Sequence, residues 1–402
     1  MKILHIEDRF HPDYGYQLNF FAKYHSPKIE FIILSSKSSF PGNNDSIEEL
    51  ANKDRDFENK YKVKIYRTGQ RLDKPNKSNL WLCDLKKTIN ELNPDIVYVH
   101  GIETYTSFRI LLNSLSEKYF IVSDTHTLLN QVSNGIKQNI YNAFIKNICA
   151  PAINKKRVIV FYTTEENKKI LTDIYGINKN NVKPCLIGTD MEQYYYDDTA
   201  KRSLRKQLGI SEKSNVILYV GKLNYAKNPH LILKALRNIE ASINTELNVI
   251  FIGYKNEDYY QKEFGELKFN NKRIKVHILN PIASDKLYAY YSMADMAVFP
   301  AENTLSALDA QACKLPVIME TDETNDERLK KGGLVYQKNN LKDLGEKIML
   351  LLTDVSLRNK LRIEGFDYIT ENYNYKKIIS YMETFLENAL KQRQTKITSK
   401  QL

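Results

Sequence analysis

Short apolar runs recur along the chain, separated by polar stretches of helical character. In the first half KILHI, EFIILSS, DIVYVH, YFIVSD and VIVFYT are each rich in Ile, Val, Phe or Tyr. Runs of that length and composition read as buried strands, and the helices between them predict parallel pairing in a doubly wound sheet. The pattern then restarts with NVILYVG, LNVIFIG, IKVHIL, MAVFP and LPVIME. Two such sets predict an α/β protein of two facing Rossmann-like domains. Residues 188–199 interrupt the alternation, which puts the boundaries at 1–190 and 191–374. The chain after residue 340 reads as helical, with a long helix over 375–392 that packs back toward the N-terminal domain and a polar tail, 393–402, that frays.

Composition narrows the class. The 402 residues are 42% apolar and 27% charged, close to ordinary globular usage, which excludes a disordered or fibrous chain. No apolar run approaches the ~18 residues of a membrane span. The N-terminus enters a strand without a basic region and long apolar core, so no secretory signal is expected. Four scattered cysteines (Cys83, Cys149, Cys185, Cys313) suit neither a zinc site nor a disulfide framework. The expected location is the cytoplasm. A net charge of +11 is spread over both halves. Residues 60–87 hold a local basic cluster that includes Lys60, Lys64, Arg67, Lys74, Lys77 and Lys87. Such a run is either a solvated face or a surface for anionic headgroups or phosphorylated acceptors, so peripheral contact with the inner face of a membrane is one expectation. No nucleic-acid-binding module accompanies it, and no nucleic-acid partner is expected.

Open parallel sheets bind ligands beyond the carboxyl ends of their strands, so the residues after each strand are the place to look. After the first comes HPDYGYQ, which lacks the G-x-G-x-x-G turn of a dinucleotide-binding enzyme. Gly15 there is either a turn glycine or a point of close approach to a phosphate at the next helix N-terminus. After NVILYV comes GKLNYAK, where Gly221 ends the strand and Lys222 and Lys227 flank a loop. Two ammonium groups there suit a pyrophosphate leaving group, or are ordinary surface lysines. After MAVFP comes AENTLSALDAQACKLPVI, in which Asp309 lies on a helix. A carboxylate so placed accepts hydrogen bonds from ribose hydroxyls, or simply faces solvent.

Taken together these segments resemble the retaining glycosyltransferases of the GT-B fold, the glycosyltransferase family 4-like group. HPDYGYQ resembles the family's first glycine loop, SDTHT its histidine loop and IGTDMEQY its linker segment. GKLNYAK resembles the G-R-L-x-x-x-K motif with Lys222 in the arginine position, and DAQACKLPVI resembles E-A-x-A-C-G-x-P-V-I with Asp309 in the position of the second glutamate. The resemblance spans nearly the whole chain, and the order and spacing of the motifs carry it.

It implies transfer of a hexose or N-acetylhexosamine from a nucleotide diphosphate sugar, UDP-linked by family frequency, with retention of configuration, to a cell-surface glycan or lipid-linked acceptor. It assigns catalytic roles to His126, Lys222 and Lys227, and donor binding to Gly15, Gly221, Asn303, Thr304, Ser306 and Asp309. No metal or other cofactor is expected, since lysines and helix dipoles stabilise the departing diphosphate. His100 is a further candidate, and Asp124 is expected to orient His126. One departure stands out: the family's first glutamate aligns with Ala301, which has no carboxylate, and Glu302 lies one place off. Either Glu302 takes that role, or Asn303, Thr304 and Ser306 contact the sugar instead. The departure keeps a rival reading open, a non-catalytic nucleotide-sugar-binding partner subunit; an epimerase on the same fold is the other.

Overall fold

The computed structural model describes residues 1–38, 45–71, 80–113, 115–132, 135–265, 267–301 and 303–401. The chain divides into two compact units, Met1–Ile187 with Tyr375–Leu402, and Gly188–Asn374. The first domain holds strands β1 (Lys2–Ile6), β2 (Glu30–Ser36), β3 (Lys64–Thr68), β4 (Gln70–Arg71), β5 (Trp81–Leu82), β6 (Ile96–Val99), β7 (Phe120–Thr125), β8 (Ile159–Tyr162) and β9 (Val182–Pro184). Seven of them form a parallel sheet in the order β3-β2-β1-β6-β7-β8-β9, while β4 and β5 make a separate antiparallel ribbon. The second domain holds β10 (Asn215–Val220), β11 (Leu247–Ile252), β12 (Ile274–Leu279), β13 (Met296–Phe299), β14 (Val317–Glu320) and β15 (Gly333–Tyr336), ordered β12-β11-β10-β13-β14-β15 and also parallel.

Both sheets are Rossmann-like. The central strands are continuously apolar because helices cover both faces: β10 and β11 are buried along almost their whole length. The strand order reverses between β1 and β6 in the first sheet and between β10 and β13 in the second. Those are the switch points where a crevice opens at the carboxyl ends of the strands.

The strands that the apolar runs do not reveal are edge or short ones. β3 is KIYRT with no fully buried residue, β9 ends in Pro184, and β15 opens on Gly333; an edge strand needs only one apolar face and tolerates charge and proline. The C-terminal helix also differs from expectation. It runs Tyr375–Gln401, through residues 393–401 of the segment read as a frayed tail, because no glycine or proline interrupts it and Gln, Arg and Lys are good helix formers. Its apolar face is part of the first domain's core, where Tyr375, Ile379, Met382 and Leu386 are buried with Phe21, Phe31 and Tyr98. Glu383 on the same helix accepts the Ser26 N–H at 3.0 Å.

Candidate active-site loops in each domain

At the first switch point the chain leaves β1 through Glu7 and Asp8 and enters the helix Gln17–Tyr24. Gly15 sits between them at φ +64°, a left-handed conformation that glycine adopts without strain. Asn19 ties the loop down: its side-chain oxygen accepts the Tyr16 N–H at 3.0 Å, and its amide donates to the carbonyls of His11 and Pro12. Burial pushes the Glu7 carboxyl well above the usual range, with the nearby Asp124 and Asp8 adding to the rise. Burial also lifts Asp8 to about 6, although it accepts the Thr106 hydroxyl. Sequence reasoning passed over both acids by starting after them. Their signal was position, immediately beyond the first strand.

His100 is buried at the end of β6, within a chain of hydrogen bonds. His5 Nδ1 lies 3.1 Å from His100 Nε2, and His100 Nδ1 lies 2.7 Å from Asp124 Oδ2. Burial and the neighbouring His100 keep the His5 pKa well below the ordinary value. One proton order satisfies the chain: His5 Nδ1–H donates to His100, and His100 Nδ1–H donates to Asp124. Burial alone would raise the Asp124 carboxyl, but His100 and His126 outweigh it and hold the group well below the usual carboxylate range. The other Asp124 oxygen accepts the Gly101 N–H at 2.7 Å, which fixes the turn where Gly101 adopts φ +77°.

Asp124 therefore divides its contacts, with His126 a more distant partner than His100. Asp124 engages His100 and Gly101 closely, while His126 Nε2 stands 3.9 Å away. His126 instead lines a pocket of ≈ 560 Å³ together with Gly101, Glu103, Thr104, Gln138 and Tyr141. Partial removal from water lowers the His126 pKa; Asp124 and Glu103 more than offset this, and the net shift is upward. Glu103, which the motifs did not single out as a site residue, accepts the Thr125 hydroxyl at 2.6 Å. Burial nonetheless raises its carboxyl. Tyr141 donates its hydroxyl to the Glu103 carbonyl.

In the second domain the residues picked from sequence converge on the switch point of its own sheet. Gly221, Lys222 and Lys227 lie on the loop after β10, Asn303 and Thr304 on the loop after β13, and Ser306 and Asp309 on the helix Ser306–Ala312 that follows. Glu302 lies outside the described residues. The two loops are joined directly, since Lys227 Nζ donates to the Asn303 carbonyl at 3.0 Å. Asn224 accepts the Lys227 N–H at 3.0 Å, and the buried Tyr219 donates its hydroxyl to the Lys222 carbonyl at 2.9 Å. The Lys222 side chain is exposed. Among the described residues the buried Asn303 Oδ1 has no hydrogen-bond donor, a cost that an incoming hydroxyl or amide would relieve. Behind the β10 loop the backbone packs very closely: a Cβ on Gly253 would sit 1.9 Å from the Gly221 carbonyl oxygen.

Asp309 is half-buried, and the Thr189 hydroxyl donates to its Oδ1 at 2.6 Å. Burial raises its carboxyl to about 7 in spite of that bond. A carboxylate near neutrality, with its second oxygen not engaged by Thr189, has capacity to accept further hydroxyl donors. Among the described residues no cluster of three or more His, Cys, Asp or Glu side chains forms a metal-ligand set.

Comparison with known proteins follows the same division. Residues 200–368 match the family described as glycosyl transferases group 1. A D-inositol 3-phosphate glycosyltransferase of Rhodococcus jostii is 27% identical over 167 residues, 40% of this chain and 36% of that protein. Spore coat protein SA of Bacillus subtilis is 24% identical over 231 residues, 52% of this chain and 59% of that protein. The aligned stretches thus span well under two thirds of these curated relatives. In three dimensions the likeness is chain-wide: a glycosyltransferase from Rickettsia africae superposes with TM-score 0.74 at 14% identity, covering 97% of this chain and 98% of that one. Anabaena HepE in complex with UDP and glucose gives 0.68 at 15%, covering 96% and 100%. The fold is that of the GT-B glycosyltransferases.

Proposed function

We propose that this chain, whose second domain belongs to the group 1 glycosyl transferases, moves a sugar from a nucleotide diphosphate donor to a hydroxyl acceptor with retention of configuration. The observation that carries the reading is the Lys227–Asn303 bond, which brings an ammonium group to the paired loops of the second switch point. Breaking the bond between the sugar's anomeric carbon and the diphosphate leaves an anionic nucleotide and an oxocarbenium-like sugar. Lys222 and Lys227 offset the first charge as it develops, when such stabilisation lowers the barrier. Asp309 accepts the ribose hydroxyls. Asn303, Thr304 and Ser306 hold the sugar in place of the carboxylate that Ala301 lacks. The acceptor oxygen then bonds to the anomeric carbon, and its proton passes to the oxygen of the departing diphosphate.

The acceptor occupies the first-domain pocket, which His126 lines. HepE, a structural relative, is solved with UDP and glucose, and this supports UDP as the donor nucleotide; a hexose or N-acetylhexosamine is the sugar, and a cell-surface glycan or lipid-linked sugar the acceptor. The test is to incubate the full chain with UDP, GDP, ADP and CMP sugars and acceptor glycans, and to read the product's anomeric configuration by NMR. Retention with a UDP-sugar supports the reading; inversion overturns the stereochemistry, and no turnover with any donor overturns the transferase. A partner subunit without activity, the reading favoured by the uncharged Ala301, would bind the donor and release no nucleotide.

A further inference from the structure

The helix Ile136–Phe144 has two unlike sides. From one, Lys137, Gln138 and Tyr141 line the first-domain pocket. Beyond them Ile136 and Ile140 project into solvent at a spacing of one turn, Phe144 rests edge-on against Phe108, and Ile148 continues the line into the π-helical turn Ile145–Cys149. Their exposures are 79%, 66%, 37% and 50%. Isolated surface leucines or isoleucines are commonplace, but Ile136, Ile140 and Ile148, aligned and each at least half exposed, make an unpartnered apolar edge beside Phe144.

Charge identifies the partner. From Thr125 to Thr164 the sequence contains no Asp or Glu, while Lys137, Lys146, Lys155, Lys156 and Arg157 fall within it. Lys137, Lys146, Lys155 and Arg157 are exposed. An apolar stripe on a segment whose charged residues are all cations fits the interface of an anionic lipid leaflet, where the side chains enter the acyl boundary and the lysines meet headgroups. A second copy of the chain would bring the same cations face to face, which disfavours self-association through this surface. The basic run at 60–87 is a weaker candidate. Arg67 there is committed to Asp54 and to the Phe10 and Ser36 carbonyls, and Lys64 to Glu30; Lys74 and Lys77 lie outside the described residues.

We infer that the Ile136–Ile140–Phe144–Ile148 stripe docks the protein on an anionic membrane surface. Docking there sets the pocket at the lipid interface, so that an acceptor carried on a lipid reaches it along the same helix. The inference does not depend on sugar transfer, and its test reads binding alone.

The experiment is co-sedimentation of the full chain with phosphatidylcholine vesicles, with and without phosphatidylglycerol. Wild type should pellet with the phosphatidylglycerol vesicles and be released by salt. The variant Ile136→Glu/Ile140→Glu should bind at least about tenfold more weakly. Both positions are mostly exposed and glutamate is the better helix former, so its melting temperature should match wild type, and its UDP binding should be unchanged. Wild type remaining in solution with both vesicles would overturn the inference, as would a folded variant that pellets equally. Sedimentation velocity showing a wild-type dimer dissolved by the substitutions would overturn it too, by assigning the stripe to a second copy.

Discussion

In the proposed reaction, Lys227 and Asp309 carry the most at the level of single side chains. Lys227 spans the two switch-point loops through Asn303, so Lys227→Ala removes both a charge and a tether. Loss of one charge-stabilising donor costs roughly a hundredfold or more in kcat, and initial rates with a UDP-sugar check it. Asp309 makes a pH prediction. Its carboxyl, raised to about 7 by burial, favours the protonated form, so its contribution to stability is complete below the ordinary carboxylate range and is lost as pH rises through about 7. Ribose hydroxyls bind the ionised form better, so UDP affinity should climb across the same interval, and Asp309→Asn should flatten that rise. Titration calorimetry at several pH values reads both. At this scale the sequence was partly legible. Motif position pointed to Lys222, Lys227 and Asp309, which lie on the loop after β10 and the helix after β13. It did not reveal Glu7 or Glu103, whose raised pKa values come from burial among residues distant in sequence, nor that Asp124 serves His100.

Among the elements, the buried parallel strands were the easiest to read and the edges the hardest. β1, β2, β6, β10 and β11 are continuous apolar runs because both of their faces are covered. β3 looks polar because its residues face a single core, and Arg67 in it serves as a half-buried ion-pair partner for Asp54. Where two loops pack backbone on backbone, the sequence offers only a glycine. Gly253 is such a place, with Gly221 in contact. Gly253→Ala forces the β10 loop outward, because the neighbouring atom is a main-chain carbonyl that has no rotamer to change. A loss of ~2–4 kcal/mol follows, measured by thermal unfolding, with weakened UDP binding because the same loop carries Lys222 and Lys227.

For the molecule as a whole, the C-terminal helix makes the first domain discontinuous in sequence. Ile379, Met382 and Leu386 are buried in a core otherwise built from residues before 188, so Ile379→Ala should destabilise by about 2–5 kcal/mol. Limited proteolysis should then show the first domain opening while the continuous Gly188–Asn374 unit stays protected. The two-domain plan was readable from the restart of the strand pattern; the length of the final helix was not, since a polar tail without glycine or proline carries no stop signal. The central claim is that the second domain holds a nucleotide diphosphate at the loops bearing Lys222 and Lys227. Thermal unfolding of the intact protein with UDP, GDP, ADP and CDP tests it most directly. At about 100 times its dissociation constant one nucleotide, UDP, should add about 2.7 kcal/mol, and the stabilisation should vanish in a folded Lys222→Ala/Lys227→Ala variant. No stabilisation by any of the four, or an undiminished one in that variant, would contradict the account.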